Sequence, residues 1–460
     1  MRRDEREPRR GRWFDSVLMR TVTSGGRPRV FIGLSEVAGQ FSSIEAALRA
    51  SGINAAFHNL SPDVFRYRGG KSWSVGRLRD LRGSRQGTLG HRLWRVALRI
   101  NGMIRRARAA GLFPIAVLRY DAFILGGHET FLGGIDLWIL RRLRKPVVII
   151  FTGSDHRPPF LSGKGIRLHG DQQSLIRASK RLSRRVRRAE RWAAAVVALP
   201  TSAQFHRRAF IHFLAIGIPM MSHPHGPQAR SGVSHAVRVL HCPTDPVGKG
   251  SDRIRTAIDR VRDRGIAIDY REVVGRPNDE VLRAIEWCDF VVDELYSDTP
   301  MAKFGTEAAH FSKPAVVGSY AVDAYRHDGP GPIPPSQLCH PDAVEDAIYE
   351  LATDPVRRMQ LGADARTFVT NEWAPARVAE KLMTLISGSA PSEWIVRTED
   401  VGYVHGWGMP EPALVRTLFD LLRVATPKDL GIPPGTLVEA NLRKLAEQGG
   451  PIDHGGSRDP

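Results

Sequence analysis

The chain has 460 residues, is 42% hydrophobic and carries a formal charge of +19, enough for two ordinary domains with proper cores. It contains no apolar run approaching the roughly eighteen residues of a spanning helix, and its Arg-rich start lacks the apolar middle of a secretory signal. Cys242, Cys288 and Cys339 are widely spaced and odd in number, so they form neither a metal pattern nor a disulfide framework, and a reduced, cytoplasmic setting is expected.

The charge is concentrated. Residues 1–29 hold nine Arg against four acids, residues 66–108 hold thirteen Arg/Lys against Asp80, and residues 177–191 hold eight against Glu190. These segments carry +5, +12 and +7, which leaves everything else at −5. The first half therefore suits anionic partners and the second half is near neutral or acidic.

In chain order, residues 1–28 read as a flexible basic arm. A strand is expected over 30–33, a helix over 41–51 with Ile44, Ala47 and Leu48 on one face, and a second strand near 55–57. Residues 66–87 are Gly- and Arg-rich loop. A helix over 89–110 aligns Leu89, Leu93, Val96, Ile100, Met103 and Ala107. Then come a strand at 121–125, a helix at 131–144, a strand at 147–151, a helix at 172–194 and a strand at 196–199. The Pro/Gly/His-rich stretch 217–235 is a linker. A second alternating series follows, with strands at 237–242, 268–274, 289–293 and 314–318. Residues 389–460 form an extension with helices near 411–424 and 436–447. Alternation of strand and helix predicts parallel α/β sheets with crossover helices. The expected architecture is two Rossmann-like doubly wound domains, 29–216 and 236–388, facing across a cleft, with ligands at the carboxyl ends of the strands.

Residues 236–320 carry the most chemistry. A buried strand runs into Val247-Gly248-Lys249-Gly250-Ser251. A later strand, Asp289-Phe290-Val291-Val292-Asp293, leads to Phe304-Gly305-Thr306-Glu307. Each glycine turn is read as opening a helix, so two positive helix ends and Lys249 would meet a phosphate-bearing ligand, with Glu307 suited to ribose or sugar hydroxyls. The plainer readings are an exposed turn lysine and a glutamate that compensates a helix dipole.

In the first half, Gly153-Ser154-Asp155-His156 follows a strand, which places Asp155 at the cleft edge either as a substrate contact or as an Asx turn. His128, after Gly126-Gly127, and His156 are acid/base candidates. Glu36 sits in the first βα turn as a candidate catalytic carboxylate or an ordinary helix-start residue. The glycines around it lack dinucleotide spacing. His223, His225 and His235 show no third ligand at a metal-binding spacing. In the 177–191 helix, Arg177, Arg181, Arg184, Arg188 and Arg191 share one stripe opposite Leu175, Ala178, Leu182, Val186 and Ala189. That stripe is a solvated face or a surface for anionic lipid or polyanion.

Four pieces of the second half resemble the C-terminal half of GT-B glycosyltransferases of the retaining, family-four (group 1) type. They are Pro243–Ser251, the run from Asp279 to Asp293, Lys303–Pro314, and the stretch from Asp354 to Arg366. Phe151-Thr152-Gly153-Ser154-Asp155-His156-Arg157 is similar to the "fHGSD.R" segment of related enzymes. The resemblance covers about 28–388. It implies a hexosyltransferase with a nucleotide-diphosphate sugar held by Lys249, Gly250, Ser251, Phe304, Gly305, Thr306 and Glu307, an acceptor held by the N-terminal domain, and no metal or other cofactor. Thr299, Thr244 and Thr152 stand where the family pattern has Glu, Arg and His.

Charge adds the expectation that the acceptor is anionic, lipid-linked or a cell-surface glycan precursor, with possible peripheral contact with an anionic membrane. The competing readings are a nucleotide-sugar epimerase of the same fold and a non-catalytic binding subunit. Nucleic-acid binding lacks a recognition motif and aromatic interleaving.

Overall fold

The computed structural model describes residues 27–61, 88–221, 236–327 and 332–450. Most of the basic arm, the 66–87 loop and the linker from 222 onward, with His223, His225 and His235, lie outside the described residues.

The strands are β1 (Val30–Leu34), β2 (Ala55–Asn59), β3 (Ala122–Gly126), β4 (Val147–Ile150), β5 (Ala195–Ala198), β6 (Phe210–His212), β7 (Val237–His241), β8 (Ile268–Glu272), β9 (Phe290–Val292), β10 (Ala315–Gly318), β11 (Gln337–Cys339) and β12 (Ile395–Val396). The first sheet has the order β12-β6-β5-β4-β3-β1-β2 and the second β11-β10-β9-β7-β8. Every pairing is parallel except β12 with β6. In the first sheet the strand order reverses between β1 and β3, and in the second between β7 and β9. These are the two topological switch points, where adjacent crossovers leave on opposite faces and open a crevice at the strand carboxyl ends.

The strands are buried on both faces, as parallel sheets require. Val30 and Ile32 of β1 point into one core with Ile44 and Leu48 of the helix Gln40–Ala50. Phe31 and Leu34 point into the other, with Phe113, Phe123 and Leu182. The helix Thr88–Arg119 continues past its expected end through Gly111 and Pro114, because Ala109, Phe113 and Ala116 continue its buried stripe. Tertiary packing outweighs the local breakers there.

The chain after about residue 372 returns to the first domain. Trp373 is buried, and its indole N–H donates to the Leu214 carbonyl (3.1 Å). Val378, Leu382 and Leu385 of the helix Pro375–Ser387 pack in the same core as Ile44 and Leu48. β12 then adds to the edge of the first sheet. Leu414, Leu418 and Leu421 of the helix Glu411–Leu422, and Leu442 of the helix Leu437–Glu447, complete the opposite core beside Phe160, Val186 and Phe205. The extension is thus a structural layer of the first domain. No helix among the described residues is long and apolar enough to cross a membrane.

Leu418→Ala should therefore destabilise the first domain by about 2–5 kcal/mol in urea unfolding. A loss under about 1 kcal/mol would show that the extension packs loosely.

Candidate functional site

The carboxyl ends of the two sheets meet. Arg157, after β4, forms a buried ion pair with Asp298, after β9. The Asp298 carbonyl accepts from the hydroxyls of Thr201 (2.5 Å) and Tyr325 (2.6 Å). A third element enters this cleft from the extension. The Trp407 N–H donates to the Leu161 carbonyl (2.9 Å), and the Gly163 N–H donates to the Trp407 carbonyl (3.0 Å). On the other side, the Gly408 N–H reaches the Tyr296 carbonyl (3.2 Å) and the Trp407 indole lies against Gly248. His405 stacks on Tyr320 with ring centroids 5.0 Å apart, and the Glu411 N–H donates to the Tyr320 hydroxyl (2.9 Å). Residues 405–411 therefore form a strap between the domains. Gly406 and Gly408 have φ of 71° and 72°, and a side chain on Gly406 would collide with the Leu161 carbonyl. Glycine is what lets the backbone pass this closely.

At the switch point of the second sheet, Asp245 caps the short turn Pro246–Lys249, accepting from the Gly248 N–H (3.2 Å). Gly250, with φ of 73°, precedes the helix Ser251–Asp263. Lys249 is 7% exposed. Its Nζ donates to Asp293 Oδ1 (2.8 Å) and lies 3.2 Å from Glu294 Oε1. Burial opposes its charge, yet the fields of Asp293 and Glu294 and the bonds to them prevail and hold the ammonium pKa above its ordinary range. Glu294 also accepts from the Trp407 indole N–H (2.7 Å). The Ser251 hydroxyl meets His241 Nε2 at 2.8 Å, while His241 Nδ1 faces the Val292 carbonyl at 2.8 Å. A carbonyl can only accept, so Nδ1 carries the proton and the serine donates to Nε2. Burial keeps this imidazole neutral, its pKa lowered to about 4.

The second helix begins at Lys303, not after Gly305, so Gly305 and Thr306 lie inside its first turns. The physical reason is Asp293. Its Oδ2 accepts from the Gly305 N–H (3.3 Å), satisfying a helix-start amide from outside the helix. Glu307 is 3% exposed and accepts from Asn278 Nδ2 (2.9 Å), with Lys303 Nζ at 3.9 Å. Burial raises its pKa against the lowering effects of Lys303 and Asn278. Lys249 and Glu307 thus bracket Asp293 within electrostatic reach of each other. Phe304 lies 6.0 Å from Lys249 Nζ by its ring centroid. Lys249, Gly250 and the 304–307 turn come together, but with the cation already paired.

The first-domain candidates have local partners. Glu36 accepts from the Val37, Phe41 and Ser42 amides (2.8, 3.1 and 3.0 Å), which makes it the cap of the helix Gln40–Ala50. Burial raises its pKa, opposed by these bonds. Asp155 is 1% exposed and accepts from the Thr152 N–H (2.9 and 3.1 Å), a bond back to the start of its own turn. Both carboxylates are bonded to the backbone of their own turns. His156 is fully buried between Ser202 and His206 (3.0 and 3.1 Å), and burial and then the neighbouring His206 hold it neutral. His128 lies on the rim of an arginine-lined cavity in the first domain. The residues missed at the sequence level are Arg157 as a cleft cation, Asp298 as its partner, and Trp407. Gly-Trp-Gly at 406–408 was the signal for the last, since paired glycines mark close backbone approach.

No family model and no curated protein matches the chain. Solved structures do. Anabaena HepE in complex with UDP and glucose is 14% identical, over 78% of this chain and 100% of that one, with a TM-score of 0.45. Sucrose-phosphate synthase from Thermosynechococcus elongatus is 12% identical, over 78% and 98%, with a TM-score of 0.42. A point mutant of S. aureus TarM, in complex with fondaparinux, alpha-GlcNAc-glycerol and UDP, is 12% identical with a TM-score of 0.41. The match spans 61% of this chain and 59% of the TarM chain. The chain's own topology, two Rossmann-like parallel sheets whose carboxyl ends face across a cleft, is a GT-B-like α/β fold.

Removing one member of the Arg157–Asp298 pair strands a buried charge, so Arg157→Met should cost about 3–5 kcal/mol, while Arg157→Met with Asp298→Leu should recover most of it. An equal loss in both proteins would contradict the pairing. Separately, His212 and His241 are neutral when folded, with pKa values near 4 against 6.5 unfolded. The unfolded chain then binds more protons between those values, so stability is complete above pH 6.5 and falls as pH drops toward 4, by up to about 3 kcal/mol for each histidine. Urea midpoints measured from pH 7 to 4.5 should fall, and less steeply in His241→Gln. Parallel slopes would refute the assignment for His241.

Proposed function

We propose that the protein is a glycosyltransferase that takes a sugar from a nucleotide-diphosphate donor. The observation that carries this reading is the crevice at the β7/β9 switch point. It brings Lys249, the Gly250-opened helix and the buried Glu307 around Asp293, opposite the first domain. In this reading the diphosphate lies against Lys249 and the helix N-terminus, and Glu307 takes the ribose hydroxyls. The bond between the sugar C1 and the phosphate oxygen breaks while the acceptor oxygen bonds C1. Lys249 and the amides stabilise the charge growing on the diphosphate. The acceptor proton passes to that leaving oxygen. The carboxylates Asp155, Asp293, Glu294, Asp298 and Glu307 all have donor partners, which leaves none of them as a ready base and supports transfer on one face with retention at C1.

A second reading has its own support. Lys249 is neutralised by two carboxylates, and Trp407 covers Gly248 where a diphosphate would approach. Those features, with Thr299 in place of a glutamate, favour a non-catalytic binding subunit whose donor crevice is closed.

A thermal-shift screen over nucleotide-diphosphate sugars separates the two. Under the enzyme reading one class of donor raises the melting temperature. Glu307→Gln, which keeps size and the Asn278 contact, weakens that donor about tenfold through a lost hydroxyl bond. Trp407→Ala binds it several-fold more tightly because the strap no longer competes. No shift in the native chain or in Trp407→Ala would overturn the transferase reading and leave the second.

A further inference from the structure

The first domain has its own crevice, one strand away from its switch point, and its chemistry is opposite to that of the second. A cavity of about 650 Å³ opens at the carboxyl ends of β3 and β4, between the helices Thr88–Arg119 and Gln172–Trp192. Gly126, Gly127 and Phe151 form its floor, and Arg105, Arg106, Arg181, Arg185 and Arg188 its walls. The carboxylate in the wall is that of Glu129, which pairs with Arg105 and accepts from the Ser35 hydroxyl (3.1 Å) at the exit of β1. Five guanidinium groups face one carboxylate, so four positive charges are uncompensated within the lining.

The arginines differ in how they are held. Arg185 donates to the His128 carbonyl (3.1 Å) and Arg188 to the Gly133 carbonyl (3.0 Å), which pins two forks at the rim while leaving their remaining N–H groups available. Arg106 and Arg181 have no carboxylate partner among the described residues. Arg185 is exposed on its outer side, yet the surrounding protein desolvates it enough to lower its pKa against the fields of Asp155 and Glu129. Like charges are not gathered around a recess without cost, since each repels the others. An unoccupied role as a solvated helix face accounts for the outward Arg177, Arg184 and Arg191. It does not account for guanidinium groups from two facing helices lining one glycine-floored cavity at the strand ends.

We infer that this cavity binds a phosphate-bearing ligand, with Arg106, Arg181, Arg185 and Arg188 as its oxyanion donors. Guanidinium forks match phosphate oxygens bidentately, and the volume suits a sugar phosphate or a lipid headgroup with its diester. Binding of the anion stands on this geometry alone. That the ligand is the acceptor of the transfer reaction rests on the reading given under Proposed function.

The test uses the full chain and inorganic pyrophosphate as probe, measured by calorimetry at low and physiological salt. Binding should weaken with salt. Arg106→Gln with Arg181→Gln, which touches no hydrogen bond among the described residues, should weaken it about tenfold. Glu129→Gln releases Arg105 and should strengthen it. Absence of binding, or equal binding by the Arg106→Gln/Arg181→Gln protein, would each overturn the assignment. Equal binding would place the anion elsewhere on the chain. Two further arms identify the source. If glucose 1-phosphate displaces pyrophosphate, the site takes a soluble phosphate. If the chain sediments with phosphatidylcholine vesicles only when they contain phosphatidic acid, and this fails in Arg106→Gln/Arg181→Gln, the site takes a headgroup. Donor binding in the thermal-shift screen is a separate readout, so failure of the transferase reading and failure of this site are told apart.

Discussion

One buried ammonium shared between two carboxylates organises the cleft. Lys249 is taken out of water at a strand end where Asp293 and Glu294 follow each other. A buried charge persists only when paired and fully hydrogen-bonded, and here the pairing recruits three elements. Asp293 uses its second oxygen to start the helix Lys303–His310. Glu294 uses its second oxygen on the Trp407 indole. Lys249 returns its own carbonyl to the Leu295 N–H (3.0 Å). The glycine turn, the Glu307 helix and the strap are therefore parts of one polar network, and displacing any of them leaves a buried group unsatisfied.

That network explains why the extension matters to the site as well as to the core. Residues 411–447 bury leucines against the first domain, which fixes the strap at one end. The Tyr320 hydroxyl and the His405 stack hold it against the second. The strap and the Arg157–Asp298 pair tie the domains together from two directions. Any ligand reaching Gly248 from the cleft meets Trp407 first. Electrostatically the two halves are complementary in role. The second-domain crevice collects carboxylates around Lys249, Lys303 and Arg157. The first-domain crevice collects arginines around Glu129.

Most of the architecture was legible in the sequence because each parallel strand is a short apolar run between turn signals and each long helix carries a clear apolar stripe. β6, β11 and β12 were not, since two or three residues hold no period and their pairing is set by tertiary contact. The start of the helix at Lys303 was hidden because its supporting group, Asp293, is ten residues away in sequence. The same limit applies to the site. Spacing pointed to Lys249 and Glu307, and they do share a crevice, but sequence could not show that Lys249 is already paired. Glu36 and Asp155 looked like cleft carboxylates, and only the fold shows both bound to backbone amides of their own turns. The +7 helix was visible as a charged stripe. Which of its arginines turn toward a cavity depends on the Thr88–Arg119 helix packed opposite.

Hydrogen–deuterium exchange with a saturating nucleotide-diphosphate sugar tests the central claim most directly. If the β7/β9 crevice is the donor site, the 246–251 and 303–307 amides slow together while the strap at 405–408, displaced from Gly248, exchanges faster. Unchanged exchange in all three segments, or protection confined to the first domain, would contradict the account.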